Sequence, residues 1–241
     1  MDTVLAPERI IPDETERGIL AYHVKRYEFA LERCADRDVL DIACGVGYGS
    51  ELLATEARSV HAGDISAETV DYARIRYGSS GVRFDVLDAV RLALPDTSFD
   101  VVVSFETIEH LEHPELALAE FARVLRPGGT LVVSTPHVAR TNPSPENQHH
   151  RVELSRADLE TLLMRSFVDI EIFGQRRLQT SAHRLAQRLD VLGLRRRVAF
   201  LRRGARLLGT AAMAEMTADD IVISADDIDR ATEIVAVCRR R

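Results

Sequence analysis

Lysine is almost missing from this chain of 241 residues. Lys25 is the only one, and arginine supplies nearly all of the 31 basic side chains. Acids outnumber them at 38, so the formal net charge is −7. A chain of that balance is not built as a whole to hold a phosphate backbone, which argues against nucleic acid as partner. Cysteine is also scarce. Cys34, Cys44 and Cys238 are far apart and form no CxxC pair, which excludes a disulfide framework or a thiolate metal site. They read as reduced thiols in a cytoplasmic protein. No stretch approaches the roughly 18 apolar residues of a membrane span. The opening "MDTVLAPERIIPDETERG" is acidic and has no apolar run, so no secretory signal is expected there. Internal repeats and low-complexity tracts are absent. With 46% hydrophobic and 29% charged residues, the chain reads as one large globular domain, or one domain carrying an insertion.

From about residue 37 to 174, short β-branched runs alternate with helical patterns. "DVLDIAC", "SVHAGDI", "VRFDVLD", "FDVVVSF", "TLVVSTP" and "VDIEIFG" read as six strands. "YGSELLATEA", "SAETVDYARIRYG", "PELALAEFARVL" and "SRADLETLLMRSF" read as helices, with Ser66 and Ser155 as N-caps. Strands joined by helices of this length predict an α/β fold with a parallel sheet. Residues 13–35 read as a helical cover before the first strand. Residues 175–225 read as an insertion whose basic part, 175–210, carries ten arginines against the single acid Asp190. Interleaved Leu, Val and Phe make that part amphipathic and helical. Its expected role is a solvated lid, with a homodimer surface or an anionic dock as alternatives. Residues 231–239 read as the last strand.

The turn after the first strand, "DIACGVGYGS", brings Gly45, Gly47 and Gly49 together before a helix. Glycines there let a ligand approach the backbone. A tight turn alone would use them too. Asp64, at the end of the next strand, is placed to grip ribose hydroxyls, and Asp88 ends the third strand where an adenine would lie. The dinucleotide pattern GxGxxG fails at Ser50, leaving GxGxG, which argues against a nicotinamide-linked oxidoreductase.

Taken in order, "VLDIACGVGYG", "GDIS", "FDVLDA", "FDVVVSFETIEHL" and "RVLRPGGTLVVSTP" resemble the class I S-adenosylmethionine-dependent methyltransferases. The resemblance covers roughly residues 37–173. It implies a Rossmann-like, seven-stranded, mostly parallel sheet in order 3-2-1-4-5-7-6 with an antiparallel last strand, the basic helical insertion lying between strands six and seven. It implies S-adenosylmethionine as cofactor, with Gly45 and Gly47 under the methionine part and Asp41 orienting the glycine loop. Asp64 and Ile65 would lie at the ribose, Asp88 and Ala89 at the adenine, and Phe105 beside the sulfonium. In this resemblance "HVKRY" within the first helix, with His23, Arg26 and Tyr27, would cover the cofactor, a surface helix packed by Leu20, Tyr22 and Phe29 being the equal alternative, and His137 would line the acceptor side. Cys44, inside the loop, is expected to pack rather than react.

"FETIEH", at the end of the fourth strand, places Glu106, Glu109 and His110 where the acceptor of such an enzyme sits. If a helix begins there, the three share one face. Acids that merely favour a helix N-terminus are the plain alternative. With "ENQHHRVE", this E-x-x-E-H is similar to the small-RNA 2′-O-methyltransferases. That likeness implies a metal set of Glu106, Glu109, His110 and His150, with His149 the rival of His150, holding Mg²⁺ or Mn²⁺. Without a metal, His110 or His150 would act as general base. Leu154 stands where those enzymes carry an aromatic residue, and no separate RNA-binding domain is expected from these residues. The pattern also resembles the methyltransferases of glycan, natural-product and quinone pathways. The expected acceptor is therefore the hydroxyl of a small molecule or glycan. Terminal ribose of RNA and the amine of an amino sugar are the alternatives, and a catalytically silent S-adenosylmethionine-binding protein is a further one.

Overall fold

The structure, a computed structural model, describes residues 9–178 and 213–241. In chain order the main elements are α1 (Arg17–Cys34), β1 (Asp38–Ile42), α2 (Tyr48–Leu53), β2 (Ser59–Asp64), α3 (Ala67–Tyr77), β3 (Arg83–Val86), β4 (Phe99–Phe105), α4 (Pro114–Val124), β5 (Leu125–Pro136), α5 (Arg156–Leu163), β6 (Phe167–Arg177), β7 (Ile221–Ser224) and β8 (Glu233–Arg240). The expected caps form. Ser66 Oγ accepts from the Thr69 amide, and Ser155 Oγ accepts from the Asp158 amide.

The strands make one sheet in the order β3-β2-β1-β4-β5-β8-β6-β7. Strands β1 to β5 pair in parallel, and β8 runs antiparallel between β5 and β6. This is the expected Rossmann-like arrangement with one correction. Strand β7 pairs antiparallel with β6 at Gly174–Arg177 and adds an eighth strand at the edge. Strand β6 therefore continues to Arg177, and residues 175–177 belong to the sheet instead of opening the insertion. Most of the arginine-rich stretch read as a helical lid, 179–212, lies outside the described residues. Among the described residues no helix is long and apolar enough to cross a membrane.

Alternation along the central strands divides the core in two. Leu40 and Ile42 of β1 face α4 and α5, with Val102, Leu131 and Val133. Val39 faces α1, α2 and α3, with Val101, Val103 and Val132. Asp41 shares the parity of Val39, so its carboxylate enters the apolar side beneath α1 and α2. The strand order reverses beside β1, since β2 and β4 leave it in opposite directions. Such a switch point opens a crevice at the carboxyl ends of the strands, and a cavity lies there.

Candidate active site

The cavity encloses ≈ 560 Å³, within the range of small-molecule sites. Its floor is the loop after β1. Ala43, Gly45 and Gly47 all take positive φ, at 61°, 57° and 93°, which an L side chain adopts at a cost. A Cβ placed on Gly45 would touch nothing within 4 Å, so the loop shows bare backbone to the cavity. Gly49 is needed for a different reason. Its Cβ would fall 2.0 Å from the ring of Tyr27, so only glycine lets α1 lie this close to α2.

Asp64 is 1% exposed and holds the loop: the Gly45 amide donates to its Oδ2 at 3.1 Å. That corrects the expected role of Asp41. The Asp41 carboxylate accepts from Ser50 Oγ at 2.6 Å and more weakly from the Tyr27 hydroxyl at 3.4 Å. It ties α2 and α1 to β1 and makes no bond to the loop glycines. Burial pushes its pKa up to about 7, against the lowering effect of Ser50 and Tyr27. Between the ordinary value of 3.8 and that value, the folded chain keeps a proton that the unfolded chain has lost. Stability therefore falls as pH rises through that window. Asp41→Asn should flatten this fall, removing a loss of up to about 4 kcal/mol between pH 4 and pH 8. Thermal unfolding across that range reads it. An equally steep fall in the variant removes Asp41 as the source.

Ile65, Asp88, Ala89 and Phe105 line the same cavity. Phe105 packs edge-to-face on Tyr27 at 5.1 Å. Cys44 is buried, and burial pushes its thiol pKa well up, so it packs. His137 is not at the cavity: its Nδ1 donates to the Ala231 carbonyl at 3.2 Å.

At the far side the chain leaves β4 through a sharp corner, not through a helix. Glu106 has φ 49°, and Ile108–His110 form a single 3-10 turn. Helix α4 starts only at Pro114. The shared helical face expected for Glu106, Glu109 and His110 does not exist. Glu106 turns to β5, where its Oε1 accepts from Ser134 Oγ at 2.7 Å, and it lies 3.9 Å from Arg26 Nη1. Glu109 is 1% exposed. Its Oε2 accepts from Thr135 Oγ1 at 3.2 Å, and its Oε1 is buried without a partner. Burial, and next the charge of Glu106, raise the Glu109 pKa well above the ordinary value.

Ligand atoms of Glu109, His110 and His150 all lie within 4.8 Å of one another. Glu106 is not in this group, which corrects the expected set of four to three. The long link is made by backbone: the Arg151 amide donates to the Glu109 carbonyl at 2.7 Å, so the "HHRV" loop is stitched to the 3-10 turn. His110 Nδ1 donates to the carbonyl of His149 at 3.0 Å, which makes Nε2 the accepting nitrogen of its neutral ring. His149 thus contributes its backbone, and His150 its ring. His150 Nδ1 donates to Glu153 Oε1 at 2.8 Å, and Asn147 Nδ2 donates to its Nε2 at 3.0 Å. A carboxylate behind a histidine is the common support of a ligating or proton-accepting imidazole.

Sequence reasoning missed Glu153, three residues beyond His150, and the network around Arg26. Arg26 is 1% exposed. Its Nη1 donates to Gln175 Oε1 at 2.8 Å and its Nη2 to His23 Nδ1 at 2.9 Å. Burial and the neighbouring Arg26 hold the His23 pKa well below its ordinary value. His23 and Tyr27 line the cavity, whereas Arg26 stands behind them. The "HVKRY" resemblance and the i, i+3 spacing both singled out His23 and Arg26, but neither pointed to their link with β6. Nothing marked Gln175.

A family model described as a methyltransferase domain matches residues 40–133. A protein of Mycolicibacterium smegmatis named as a probable S-adenosylmethionine-dependent methyltransferase is 36% identical over 248 residues, covering 98% of this chain and 95% of its own length. A Mycobacterium tuberculosis protein of the same description is 41% identical over 177 residues, 70% of this chain; there the match spans 63% of the relative. Among solved structures, the N-methyltransferase NodS of Bradyrhizobium japonicum, in complex with S-adenosyl-L-homocysteine, superposes with a TM-score of 0.60 at 17% identity. That match covers 98% of this chain and 93% of NodS, and it bears on the fold.

Proposed function

The chain belongs to the S-adenosylmethionine-dependent methyltransferases, and we propose that it methylates a hydroxyl of a sugar, glycan precursor or small natural product. The observation that carries this reading is the meeting of Glu109, His110 and His150 on one side of the cavity lining; the bare loop at Gly45 and the carboxylates of Asp64 and Asp88 line the same cavity as a second side. We assign the cofactor to that second side. Gly45 lies under its methionine part, while Gly47 faces Phe84 and Ala73 behind the loop, which corrects its expected place; Asp64 and Ile65 lie at the ribose, Asp88 and Ala89 at the adenine, and Phe105 by the sulfonium.

Methyl transfer from a sulfonium is an in-line displacement, so the chain must align the attacking oxygen and take its proton. His110 is the base in this reading. The His149 carbonyl fixes its tautomer, and Nε2 is the nitrogen that accepts the hydroxyl proton as the oxygen–methyl bond replaces the sulfur–methyl bond. Glu109, with a buried Oε1 that lacks a partner, orients the acceptor. His150, propped by Glu153, completes that wall. Glu106 acts from behind, as the partner of Ser134 and Arg26.

Once Asn147 gives up His150 Nε2, the same three side chains fit a divalent ion. A carboxylate oxygen without a partner and two imidazoles within 4.8 Å form a mixed O/N set that suits Mn²⁺ or Mg²⁺. Glu109, His110 and His150 would hold it; His110 Nε2 would then be a ligand instead of the base, and the bound ion would lower the pKa of the acceptor hydroxyl. Net charge −7 favours a small acceptor over the terminal ribose of RNA. An amine acceptor would need less help from His110. The test is a screen of hydroxyl and amino-sugar acceptors with labelled methyl donor, with and without chelator. Transfer to a hydroxyl acceptor, lost on chelation and restored by Mn²⁺ or Mg²⁺, is the expected result. Transfer that is indifferent to chelator sinks the metal part. Transfer only to amines sinks O-methylation.

A further inference from the structure

The ribose assignment rests on Asp64, and the Asp64 carboxylate is already saturated from within the chain. Arg9 Nη1 donates to Oδ2 and Arg9 Nη2 to Oδ1, each at 2.8 Å. This is the two-pronged pairing in which arginine binds carboxylates most specifically. The Gly45 amide adds a bond to Oδ2 at 3.1 Å, and the Ser66 amide one to Oδ1 at 3.0 Å. A carboxylate offers about four lone-pair positions, so these donors fill them. Two of the donors are backbone amides of the glycine loop and of the α3 cap, and they stay where the fold puts them. A vicinal diol needs two acceptor positions, and the ones that remain are those held by Arg9.

From this geometry we infer that Arg9 is an internal occupant of the ribose position, a latch that must leave Asp64 before the cofactor's vicinal diol can bind there. The inference deepens the assignment of Asp64 above and rests on it. Arg9 and Ile10 line the cavity together with Asp64 and Asp88, so the guanidinium stands in the space the ligand needs. Arg9 Nε is buried and has no hydrogen-bond partner. Asp64 is therefore what keeps the guanidinium in the cavity, and release returns all its N–H groups to water. The chain behind Arg9 is anchored separately. The Ile11 amide donates to Thr15 Oγ1 at 2.9 Å, the Thr15 amide returns to the Ile11 carbonyl at 2.8 Å, and Asp13 lies 3.6 Å from Arg76. A swing at Ile10 can free Arg9 without disturbing that turn or α1.

The latch lowers the apparent affinity for the cofactor by the fraction of molecules left open. If about nine molecules in ten are latched, the apparent Kd is about tenfold weaker than the intrinsic one. S-adenosyl-L-homocysteine, titrated by calorimetry, should accordingly bind Arg9→Ala about tenfold more tightly than the wild type. A second measurement needs no variant. Trypsin cleavage of the wild-type chain after Arg9, followed by mass spectrometry, should become faster when S-adenosyl-L-homocysteine is saturating. Ligands ordinarily slow proteolysis, so a merely structural ion pair would give the opposite. Unchanged or weaker binding by Arg9→Ala, or cleavage after Arg9 that slows with the ligand, overturns the latch. Asp64→Ala separates the two levels of the argument. If Asp64→Ala, made in the Arg9→Ala background, binds as Arg9→Ala does, the ribose assignment falls and takes the latch with it. If it loses affinity while Arg9→Ala gains none, only the latch falls.

Discussion

His110→Ala should slow methyl transfer by roughly 10²–10⁴-fold, the usual worth of a positioned general base, while the affinity for S-adenosyl-L-homocysteine stays as in the wild type. The reason is local. The His110 ring is bound through Nδ1 to a backbone carbonyl 3.0 Å away, and packs edge-to-face on His150 with ring centroids 4.9 Å apart. Removing it takes a proton acceptor from the acceptor side and leaves the glycine loop, Asp64 and Asp88 untouched. Single-turnover rates with a hydroxyl acceptor and labelled donor measure the effect. Full activity in this variant would reduce "FETIEH" to a corner of the fold with no part in the chemistry.

The second large effect concerns stability. Arg26→Met should destabilise the fold by about 3–5 kcal/mol, as expected when one member of a buried charged network is removed and the others remain. Gln175 Oε1 and His23 Nδ1 would each lose a donor, and Glu106 would lose a cation 3.9 Å away. Glu233 belongs to the same neighbourhood: burial raises its pKa, and Arg26 opposes that rise. Urea unfolding with an unchanged slope and a lower midpoint is the expected result. A loss below about 1 kcal/mol would mean that water reaches these groups and that Arg26 is not the clasp between α1 and β6. Gln175 continues the clasp, since its Nε2 donates to the Tyr22 carbonyl at 2.7 Å.

The parallel core was legible because each strand there is a short β-branched run bounded by a turn or cap residue, as in "DVLDIAC" before Gly45 or "GDIS" before α3. Parity along β1 separates Leu40 and Ile42 from Val39 and Asp41. The glycine loop and Asp64 stood out because strand, turn and acid come in a fixed order. Strand β7 was not legible. "IVIS" is four residues long, sits among acids, and pairs only with the end of β6, so no local period announces it. The corner at Glu106 was missed for a different reason. Its left-handed backbone is imposed by Ser134, which bonds both the amide and the carboxylate, and spacing alone suggested a helix. The trio of Glu109, His110 and His150 was within reach because each residue type is suited to proton or metal chemistry. That Glu106 would turn away from them follows from Arg26 and Ser134, which are distant in sequence. Arg9 and Asp64 are 55 residues apart, and nothing in "PERIIP" points to the second strand.

We propose that the cavity at the ends of β1, β2 and β4 binds S-adenosylmethionine beside its acceptor. The most direct measurement is a calorimetric titration of the wild-type chain with S-adenosyl-L-homocysteine and, separately, with NAD. One equivalent of S-adenosyl-L-homocysteine should bind, and NAD should give no binding heat, because the loop ends in Ser50 where a dinucleotide site would carry glycine. Binding of NAD without binding of S-adenosyl-L-homocysteine would contradict the account.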